Sequence, residues 1–258
     1  YSCGGGYCSN SDENSVYLYD TVERGFEAEN LYQNGYFSIS ADLTIVGSKS
    51  RDIVVLPFVR HSSGNCDPDT SEDEIVSGSE FRCLTGDLIV SLGSGSDKLY
   101  VGGSSSSPET RDIHYFPDIN GAVTEGDSID LGPGDDDLYI ALSDEVPTKL
   151  DGGDGNDLLT IAISNLTELT FEAVGAINFE ILIGSRNSET IKGDERDNVL
   201  SGSDGTDTLY GYAGNDFLYA DHIAYNEDCK NISGSDNDSL FGGDGNDRSE
   251  EHTSELQS

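Results

Sequence analysis

Residues 184–219 consist of four consecutive nonapeptides without a gap, GSRNSETIK, GDERDNVLS, GSDGTDTLY and GYAGNDFLY. Each nonapeptide begins with glycine, carries an acid or amide at its sixth position and an aliphatic residue at its eighth. The sixth-position residues are Glu189, Asn198, Asp207 and Asp216, and the eighth-position residues are Ile191, Leu200, Leu209 and Leu218. The pattern predicts a sharp turn followed by a short strand that buries one aliphatic side chain, because glycine adopts positive φ without steric cost.

Each nonapeptide is therefore half of a coil, and two of them complete one turn of a flattened parallel β-roll. This predicts an all-β fold, a β-solenoid, in which sixth positions eighteen residues apart lie on the same edge at strand spacing, about 4.8 Å. Asp207 is then expected over Glu189, and Asp216 over Asn198.

The stacked acids predict a bound cation. Two carboxylates about 5 Å apart repel each other by roughly 0.8 kcal/mol in water and by several-fold more at a partly buried turn. Carboxylate and backbone carbonyl oxygens on a flexible glycine-rich loop suit calcium better than magnesium, which requires a stricter octahedron. Calcium is therefore the expected ion.

Further copies of the pattern flank the strict run. The closest are 152–160 (GGDGNDLLT) and 242–247 (GGDGND), and looser copies lie at 92–100 (LGSGSDKLY), 131–139 (LGPGDDDLY) and 233–241 (SGSDNDSLF). Asp136 and Asp157 are twenty-one residues apart, one eighteen-residue turn plus three, so they are also expected to share an edge.

Over roughly residues 84–247 the chain resembles the repeats-in-toxin (RTX) or haemolysin-type calcium-binding repeat, whose signature is G-G-x-G-x-D-x-U-x. The resemblance implies that sixth-position aspartates and the carbonyls of turn glycines bind calcium. The implied ligands are Asp97, Asp136, Asp157, Asp207, Asp216, Asp238, Asp247, Gly153, Gly155, Gly205, Gly214, Gly243 and Gly245. Glu189 and Asn198 depart from aspartate, and Arg186 and Arg196 replace the fourth-position glycine, so the first two coils of the strict run are expected to bind calcium weakly or not at all.

The composition is strongly acidic and poor in apolar residues. The chain has 50 acidic and 13 basic residues, a formal charge of -37 and 34% hydrophobic residues. This charge opposes binding to nucleic acid, whose phosphates would be repelled, and disfavours an anionic membrane. Because self-repulsion and poor apolar burial leave the ordering entropy unopposed, we expect a chain that is disordered without calcium and folds with it.

The pattern divides the chain into three parts. Residues 1–83 contain alternating strand-like stretches, and two interpretations stay open: an irregular β region of its own, or a degenerate start of the roll, since 47–55 (GSKSRDIVV) fits the nonapeptide frame. Residues 84–247 are expected to form the roll, with loop insertions at 104–109 and 220–232. Residues 248–258 (RSEEHTSELQS) match the in-frame translation of a sequencing adapter. We therefore expect them to be an unstructured artefact and the natural protein to continue past Asp247 with a different sequence.

Weak, repeated calcium sites suit the millimolar calcium outside cells, so the expected location is extracellular, secreted or at the cell surface. Five cysteines without C-x-x-C spacing are compatible with an oxidising compartment, where Cys3 with Cys8 or Cys66 with Cys83 would bridge locally.

No catalytic constellation is visible: H-E-x-x-H, G-x-S-x-G and phosphate-binding loops are absent from the sequence. We therefore expect a non-enzymatic fragment with a structural or adhesive role that binds calcium and a cell-surface or matrix partner, without membrane insertion. The alternative is the calcium-binding module of a secreted hydrolase, a protease or lipase, whose catalytic domain lies outside these residues.

Overall fold

The fold is all-β, as the periodicity predicts. The computed structural model describes residues 2–4, 7–10, 15–18, 25–27, 37–39, 43–47, 49, 51–56, 82–84, 87–101, 103–105, 113–115, 123, 126–142, 149–163, 166–221 and 237–250. The described residues form strands, bridges, turns and bends and contain no helix, so none of them belongs to a helix long and apolar enough to cross a membrane.

One face of the roll is a nine-stranded parallel sheet that runs through almost the whole described chain. In spatial order its strands are β25 (Arg248–Glu250), β23 (Phe217–Tyr219), β21 (Val199–Ser201), β19 (Ile181–Ile183), β16 (Leu158–Ile163), β14 (Asp137–Ala141), β10 (Lys98–Val101), β7 (Ile53–Leu56) and β4 (Gly25–Glu27). Each coil of the chain thus contributes one strand to this sheet.

The second face is divided between two sheets. An eight-stranded sheet contains β1 (Ser2–Gly4), β2 (Tyr7–Asn10), β3 (Ser15–Leu18), β6 (Leu43–Val46), β9 (Leu88–Ser91), β13 (Ser128–Asp130), β15 (Lys149–Asp151) and β18 (Ala176–Ile177). A four-stranded sheet follows, with β17 (Glu168–Thr170), β20 (Thr190–Lys192), β22 (Thr208–Ala213) and β24 (Ser239–Asp244). One coil supplies both β17 and β18, so it joins the two sheets.

The core is a column of the eighth-position aliphatics between the two faces. Ile191, Leu200, Leu209 and Leu218, predicted to be buried, are all buried. Full burial of such a side chain contributes about 1.5–3 kcal/mol. In the strict run each short strand contributes about one fully buried side chain, so the core there is one column wide and depends on the turns at its two edges. In the longer coils the core is wider, since β14 alone buries Leu138, Ile140 and Ala141.

The coils differ in length although their strands pair in register. Hydrogen bonds between equivalent turns join residues 45, 39, 21, 23, 18, 18 and 31 positions apart. Only the strict run keeps the eighteen-residue coil, so the longer coils must carry their additional residues outside the strands and turns that stack.

These additional residues lie on one edge. We call the edge where the chain passes from the second face to the nine-stranded sheet the acidic edge. Its turns at 47–52, 92–97, 131–136, 152–157 and 193–198 are six residues long. We call the opposite edge, where the chain returns from the nine-stranded sheet, the insertion edge. It carries connections as long as 57–87 and 102–127.

Short strands within these connections form two small sheets of their own. β5 (Phe37–Ile39) pairs with β8 (Arg82–Leu84) in parallel, and β11 (Gly103–Ser105) pairs with β12 (Ile113–Tyr115) in an antiparallel hairpin. Of the insertions predicted at 104–109 and 220–232, the first begins in β11 and lies outside the described residues after position 105, and the second lies outside them after position 221.

The region before residue 84 supplies strands to both faces. β6 pairs in parallel with β9, and β7 pairs in parallel with β10. Asp52 and Val54, the sixth and eighth residues of the 47–55 frame, are both buried. Nearer the N-terminus the pairing becomes antiparallel, and the register of β1 with β2 places the Cα of Cys3 opposite that of Cys8.

Residues 248–250 differ from the expectation that residues 248–258 have no structure. They form β25, which pairs in parallel with β23 through backbone hydrogen bonds such as Arg248 N to Asp216 O at 2.8 Å. Backbone pairing makes no demand on side-chain identity, and all three side chains are exposed. Residues 251–258 lie outside the described residues.

Candidate metal sites

The turns of the acidic edge stack so closely that side chains are excluded from their centre. A Cβ placed on Gly134 would overlap the carbonyl oxygen of Gly95 in the adjacent turn, and one on Gly155 would overlap the carbonyl oxygen of Gly134. The fourth-position glycines thus bring backbone carbonyls of successive coils into direct proximity. Carbonyl oxygens held in this way are suitable ligands for a hard cation.

The sixth-position acids of this edge form a carboxylate ladder. In each step, one carboxylate oxygen accepts the backbone N–H of the equivalent residue in the preceding coil. Asp97 accepts from Asp52 at 2.7 Å, Asp136 from Asp97 at 2.6 Å and Asp157 from Asp136 at 2.8 Å. The predicted shared edge of Asp136 and Asp157 is confirmed.

The ladder continues with other acids. Glu180 Oε2 accepts from Asp157 N at 3.0 Å, after which the ladder is interrupted. It resumes where Asp216 accepts from Asn198 at 2.9 Å and Asp247 from Asp216 at 3.1 Å. The predicted stacking of Asp216 over Asn198 is confirmed.

The second carboxylate oxygen of several ladder aspartates is buried without a hydrogen bond. This holds for Oδ2 of Asp97, Asp136, Asp157 and Asp216. A buried acceptor without a partner costs about 1–3 kcal/mol, and more when it is charged. Each of these oxygens is therefore available to a cation held between two turns.

The electrostatic environment of the ladder opposes ionisation of its aspartates. Burial, and secondarily the neighbouring carboxylates, raises the pKa of Asp97 and of Asp136 to about 7, although backbone N–H donors lower it. Burial also raises the pKa of Asp157 to about 6 and raises that of Asp216. A divalent cation would reverse this effect, because a nearby positive charge favours the carboxylate form.

Aspartates on the insertion edge form a shorter ladder. Asp207 accepts from Glu189 N at 2.8 Å, which confirms the predicted stacking, and Asp238 accepts from Asp207 N at 2.7 Å. Farther along this edge the turns contain buried Leu43 and Leu88 at the equivalent positions, so the ladder does not extend through them.

Five of the six predicted ligand glycines have positive φ, from +104° to +155°: Gly153, Gly205, Gly214, Gly243 and Gly245. Gly155 lies outside this region but has the same close carbonyl contact. Two turns place a larger residue at a second position with positive φ, Ser203 at +77° and Tyr212 at +75°. This conformation is unfavourable for a bulky side chain, so the turn geometry is maintained against local preference.

The first two coils of the strict run satisfy the side-chain oxygens of their sixth positions locally, although the amide nitrogen of Asn198 is buried without a partner. Glu189 accepts hydrogen bonds from both the hydroxyl and the backbone N–H of Ser185, the latter at 2.9 Å. Asn198 Oδ1 accepts from Asp194 N at 2.7 Å within its own turn. Neither side chain has a carboxylate oxygen directed without a partner into the space between turns.

The structure adds three buried or partly buried acids that the sequence assignment missed. Asp52 and Glu180 belong to the ladder, and Asp127 accepts the N–H of Leu88 at 2.7 Å on the insertion edge. A signal for Asp127 exists: it precedes Asp136 by nine residues, and Ile129 two residues later is buried. Glu180 follows a short connection without the glycine pattern and had no comparable signal.

The donor set that these turns offer is mixed. Among the described residues, no group of three or more His, Cys, Asp or Glu side chains converges on one point. A metal between two turns would therefore take one or two carboxylates and complete its shell with backbone carbonyls. Calcium accepts six to eight such oxygens in flexible geometry, whereas zinc and other nitrogen- or sulfur-preferring ions do not fit this set.

Comparison with known families agrees with this donor set. The family model of the RTX calcium-binding nonapeptide repeat matches residues 183–221 and 232–248, with four copies. No curated protein and no solved structure matches the chain. The matched family binds calcium, so calcium is the ion of these repeats.

Proposed function

We propose that this chain, an RTX-type calcium-binding repeat protein, uses its two edges as rows of calcium sites and folds when those sites fill. The observation that carries the proposal is the row of buried ladder aspartates whose second oxygen has no hydrogen-bond donor. Calcium supplies the positive charge that those oxygens and the adjacent carbonyls lack.

The ligands in this proposal are sixth-position aspartates and the carbonyls of the turns they close. They comprise Asp97, Asp136, Asp157, Asp207, Asp216, Asp238 and Asp247, with Gly153, Gly155, Gly205, Gly214, Gly243 and Gly245. Burial supports the first five aspartates directly, whereas Asp238 and Asp247 are partly exposed. Asp52 joins this set because it is buried and lies in the same ladder.

The energetic argument for folding on calcium starts from the net charge of -37 and the narrow core. Without calcium, the ladder aspartates must either remain protonated or bring buried negative charges together. If each site sees calcium at about 100 times its dissociation constant, each contributes roughly 2.7 kcal/mol, and two or three sites equal a typical domain stability. Calcium then controls whether the roll forms.

An extracellular location and a structural or adhesive role belong to the same proposal. Carbonyl-rich sites with one or two carboxylates suit the weak affinities, 10⁻⁴–10⁻³ M, that are typical of extracellular calcium modules. Because bound calcium would stiffen the strict run, whose core is one column wide, the chain would hold its shape outside the cell and present its faces to a surface or matrix partner. No catalytic role is proposed for it.

Calcium binding and folding are tested together by titration of the calcium-free chain. Isothermal titration calorimetry should give several calcium equivalents, and far-ultraviolet circular dichroism should change from a coil to a β spectrum at submillimolar to millimolar calcium. An unchanged spectrum would contradict folding on calcium, and a midpoint below about 1 µM would contradict the extracellular assignment.

The ligand assignment is tested by paired substitutions. Asp136→Ala with Asp157→Ala should remove at least one calcium equivalent and weaken the remaining transition. The matched control is Asp154→Ala with Asp244→Ala, which changes the same charge at exposed third positions of similar turns. Equal stoichiometry in both double variants would refute the assignment of the ladder aspartates.

A further inference from the structure

We propose that Arg196 is a built-in cation that replaces calcium between the Glu180 and Asn198 turns, so that one junction of the roll closes without metal. The inference rests on the proposed function, because it identifies the place on the acidic edge where that function is absent. It is carried by the geometry of the gap in the carboxylate ladder.

The ladder is interrupted only at this junction among the described turns of the acidic edge from 92 onward. Glu180 N donates to the carbonyl of Asp157 at 3.2 Å and has no carboxylate acceptor from the next coil. The sixth residue of that coil, Asn198, instead accepts a hydrogen bond from Asp194 in its own turn. The sheet is nevertheless continuous here, because β19 pairs with β21 through the register of Ile181 with Val199.

The guanidinium of Arg196 bridges the acids on both sides of the gap. Its Nε and Nη2 donate to Asp194 Oδ2 at 2.9 and 2.7 Å, and its Nη1 lies 3.7 Å from Glu180 Oε1. Asp194 is also hydrogen-bonded through Oδ1 to the backbone N–H of Arg196 at 2.8 Å. A planar donor fork of this kind matches carboxylates in two directions and remains charged at every physiological pH.

Ionisation of Asp194 agrees with this arrangement. Burial tends to raise the pKa of Asp194, but hydrogen bonds from the side chain and backbone of Arg196 outweigh burial and lower it. This is the reverse of the metal-type aspartates, whose pKa is raised. A local cation therefore outweighs burial in this turn, whereas Arg51 near Asp97 does not and no cation is among the causes at Asp136.

The turn itself has also lost the features that would hold calcium. Its fourth residue is arginine where the other six-residue turns on either side of it along the acidic edge have Gly155 and Gly214. Its sixth residue is a neutral amide, so it offers one carbonyl oxygen, already hydrogen-bonded, and no negative charge. This turn therefore differs from its neighbours in both charge and ligand, while the carbonyl of Arg196 still stacks against Gly214 of the next turn.

The other arginine of the strict run does not have this role. Arg186 and Asp204 form an ion pair at 3.8 Å with side chains 87% and 51% exposed, against 47% and 27% for Arg196 and Glu180, so the Arg186 pair contributes little. Arg196 in addition donates two hydrogen bonds to Asp194. The sixth-position Glu189 is satisfied by Ser185 instead. Arg186 therefore serves as the matched control for Arg196.

The consequence is that the roll contains a calcium-independent joint between two calcium-dependent blocks. One block holds the ladder from Asp52 to Glu180, and the other holds the ladders that begin at Glu189 and Asn198. When calcium is removed, the joint should be the last part of the acidic edge to lose its structure.

The first test restores the motif. Arg196→Gly combined with Asn198→Asp in the whole chain should raise the calcium stoichiometry by one equivalent in calorimetry, whereas Arg186→Gly alone should leave it unchanged. A parent chain that binds no calcium would refute the proposed function. A parent that binds calcium, with no gain in the double variant, would refute the role of Arg196 alone.

A second test does not depend on the folding of that double variant. With calcium at a level that half-saturates the chain, Arg196→Gln should reduce the hydrogen-exchange protection of the Val199 amide, which donates to Glu180 O at 2.9 Å, by tenfold or more. Arg186→Gln should change it less than twofold. Equal protection in the two variants would overturn the proposal.

Discussion

The two edges of the roll differ in what they tolerate. The acidic edge keeps short turns and an almost continuous carboxylate ladder through coils that differ by up to 27 residues in length. The insertion edge carries the long connections and has leucines at two of its sixth positions, Leu43 and Leu88. In the coils that contain Leu43 and Leu88, the acidic edge, which stacks carbonyls and carboxylates, keeps its turn length. The insertion edge of the same coils is closed by apolar packing and varies in length.

The difference has a simple physical basis. A metal shell fixes oxygen positions to within a few tenths of an ångström, so each turn depends on the turn on either side. Extending a flexible loop costs only about 0.6 kcal/mol for each doubling of its length. Added length is therefore tolerated outside the stacked turns, and in the coils of Leu43 and Leu88 no ligand geometry opposes it.

The largest expected effect comes from inserting the same Gly-Ser-Gly segment at the two edges. Between Gly155 and Asn156, it should separate the ladder turns and disable the sites on both sides, with a loss of about 5 kcal/mol in calcium. Between positions 145 and 146, in an insertion-edge connection, the loss should be below about 1 kcal/mol. Urea unfolding at fixed calcium measures both, and equal losses would remove the distinction between the edges.

The next effect is a pH dependence that changes sign with calcium. The pKa of Asp97 and Asp136 is raised to about 7 in the folded state, above about 3.8 in the unfolded state. A raised carboxyl pKa gives stability that is fully present below the unfolded value and is lost as the pH rises through the folded one. Calcium-free chain should thus be less stable at pH 7 than at pH 4, by about 3 kcal/mol for one such group, and the two contributions do not add because the carboxylates interact.

With calcium the slope should reverse, because protons compete with the ion for the same carboxylates. Far-ultraviolet circular dichroism from pH 4 to 7.5, with chelator and with millimolar calcium, measures both slopes. Parallel slopes in the two conditions would show that the acidic edge is not the source of the pH dependence.

An isosteric substitution should change the stability of the chain by a smaller amount, and the sign of the change should depend on whether calcium is present. Asp136→Asn keeps an oxygen that accepts the N–H of Asp97 but removes the buried charge. In calcium it should destabilise the chain by about 2–3 kcal/mol, and in chelator at pH 7 it should stabilise it. Leu88→Ala on the insertion edge should destabilise in both conditions, which separates loss of a charge from loss of packing. Thermal unfolding of the two variants in calcium, and the far-ultraviolet circular dichroism signal of the residual β fraction in chelator, test this.

The smallest expected effect is at the exposed ion pair of the insertion edge. Arg186→Ala breaks only the contact with Asp204, so the free energy of unfolding should change by less than about 1 kcal/mol at any calcium concentration. Urea unfolding with and without calcium checks this. A larger loss would mean that the insertion edge also contains an internal cation.

Much of the site was accessible from the sequence because its signal is local. The nine-residue period predicts the buried eighth-position residues and the stacking of Asp207 on Glu189. It also predicts the shared edge of Asp136 and Asp157, where the coil is only three residues longer than the strict repeat. The pairing of Asp52 with Asp97 and of Asp97 with Asp136 was not predictable in this way, since 45 and 39 residues separate the partners.

By itself, the sequence determined the fold class, the column of core aliphatics and the residue type that closes each regular turn, because each depends on neighbours within nine residues. Only the tertiary structure decided that the long connections lie on one edge, that Glu180 ends one ladder segment and that Arg196 closes the gap after it. Those features depend on which backbone N–H donates to which carboxylate across coils of unequal length. A local nine-residue period carries no information about these long-range hydrogen bonds.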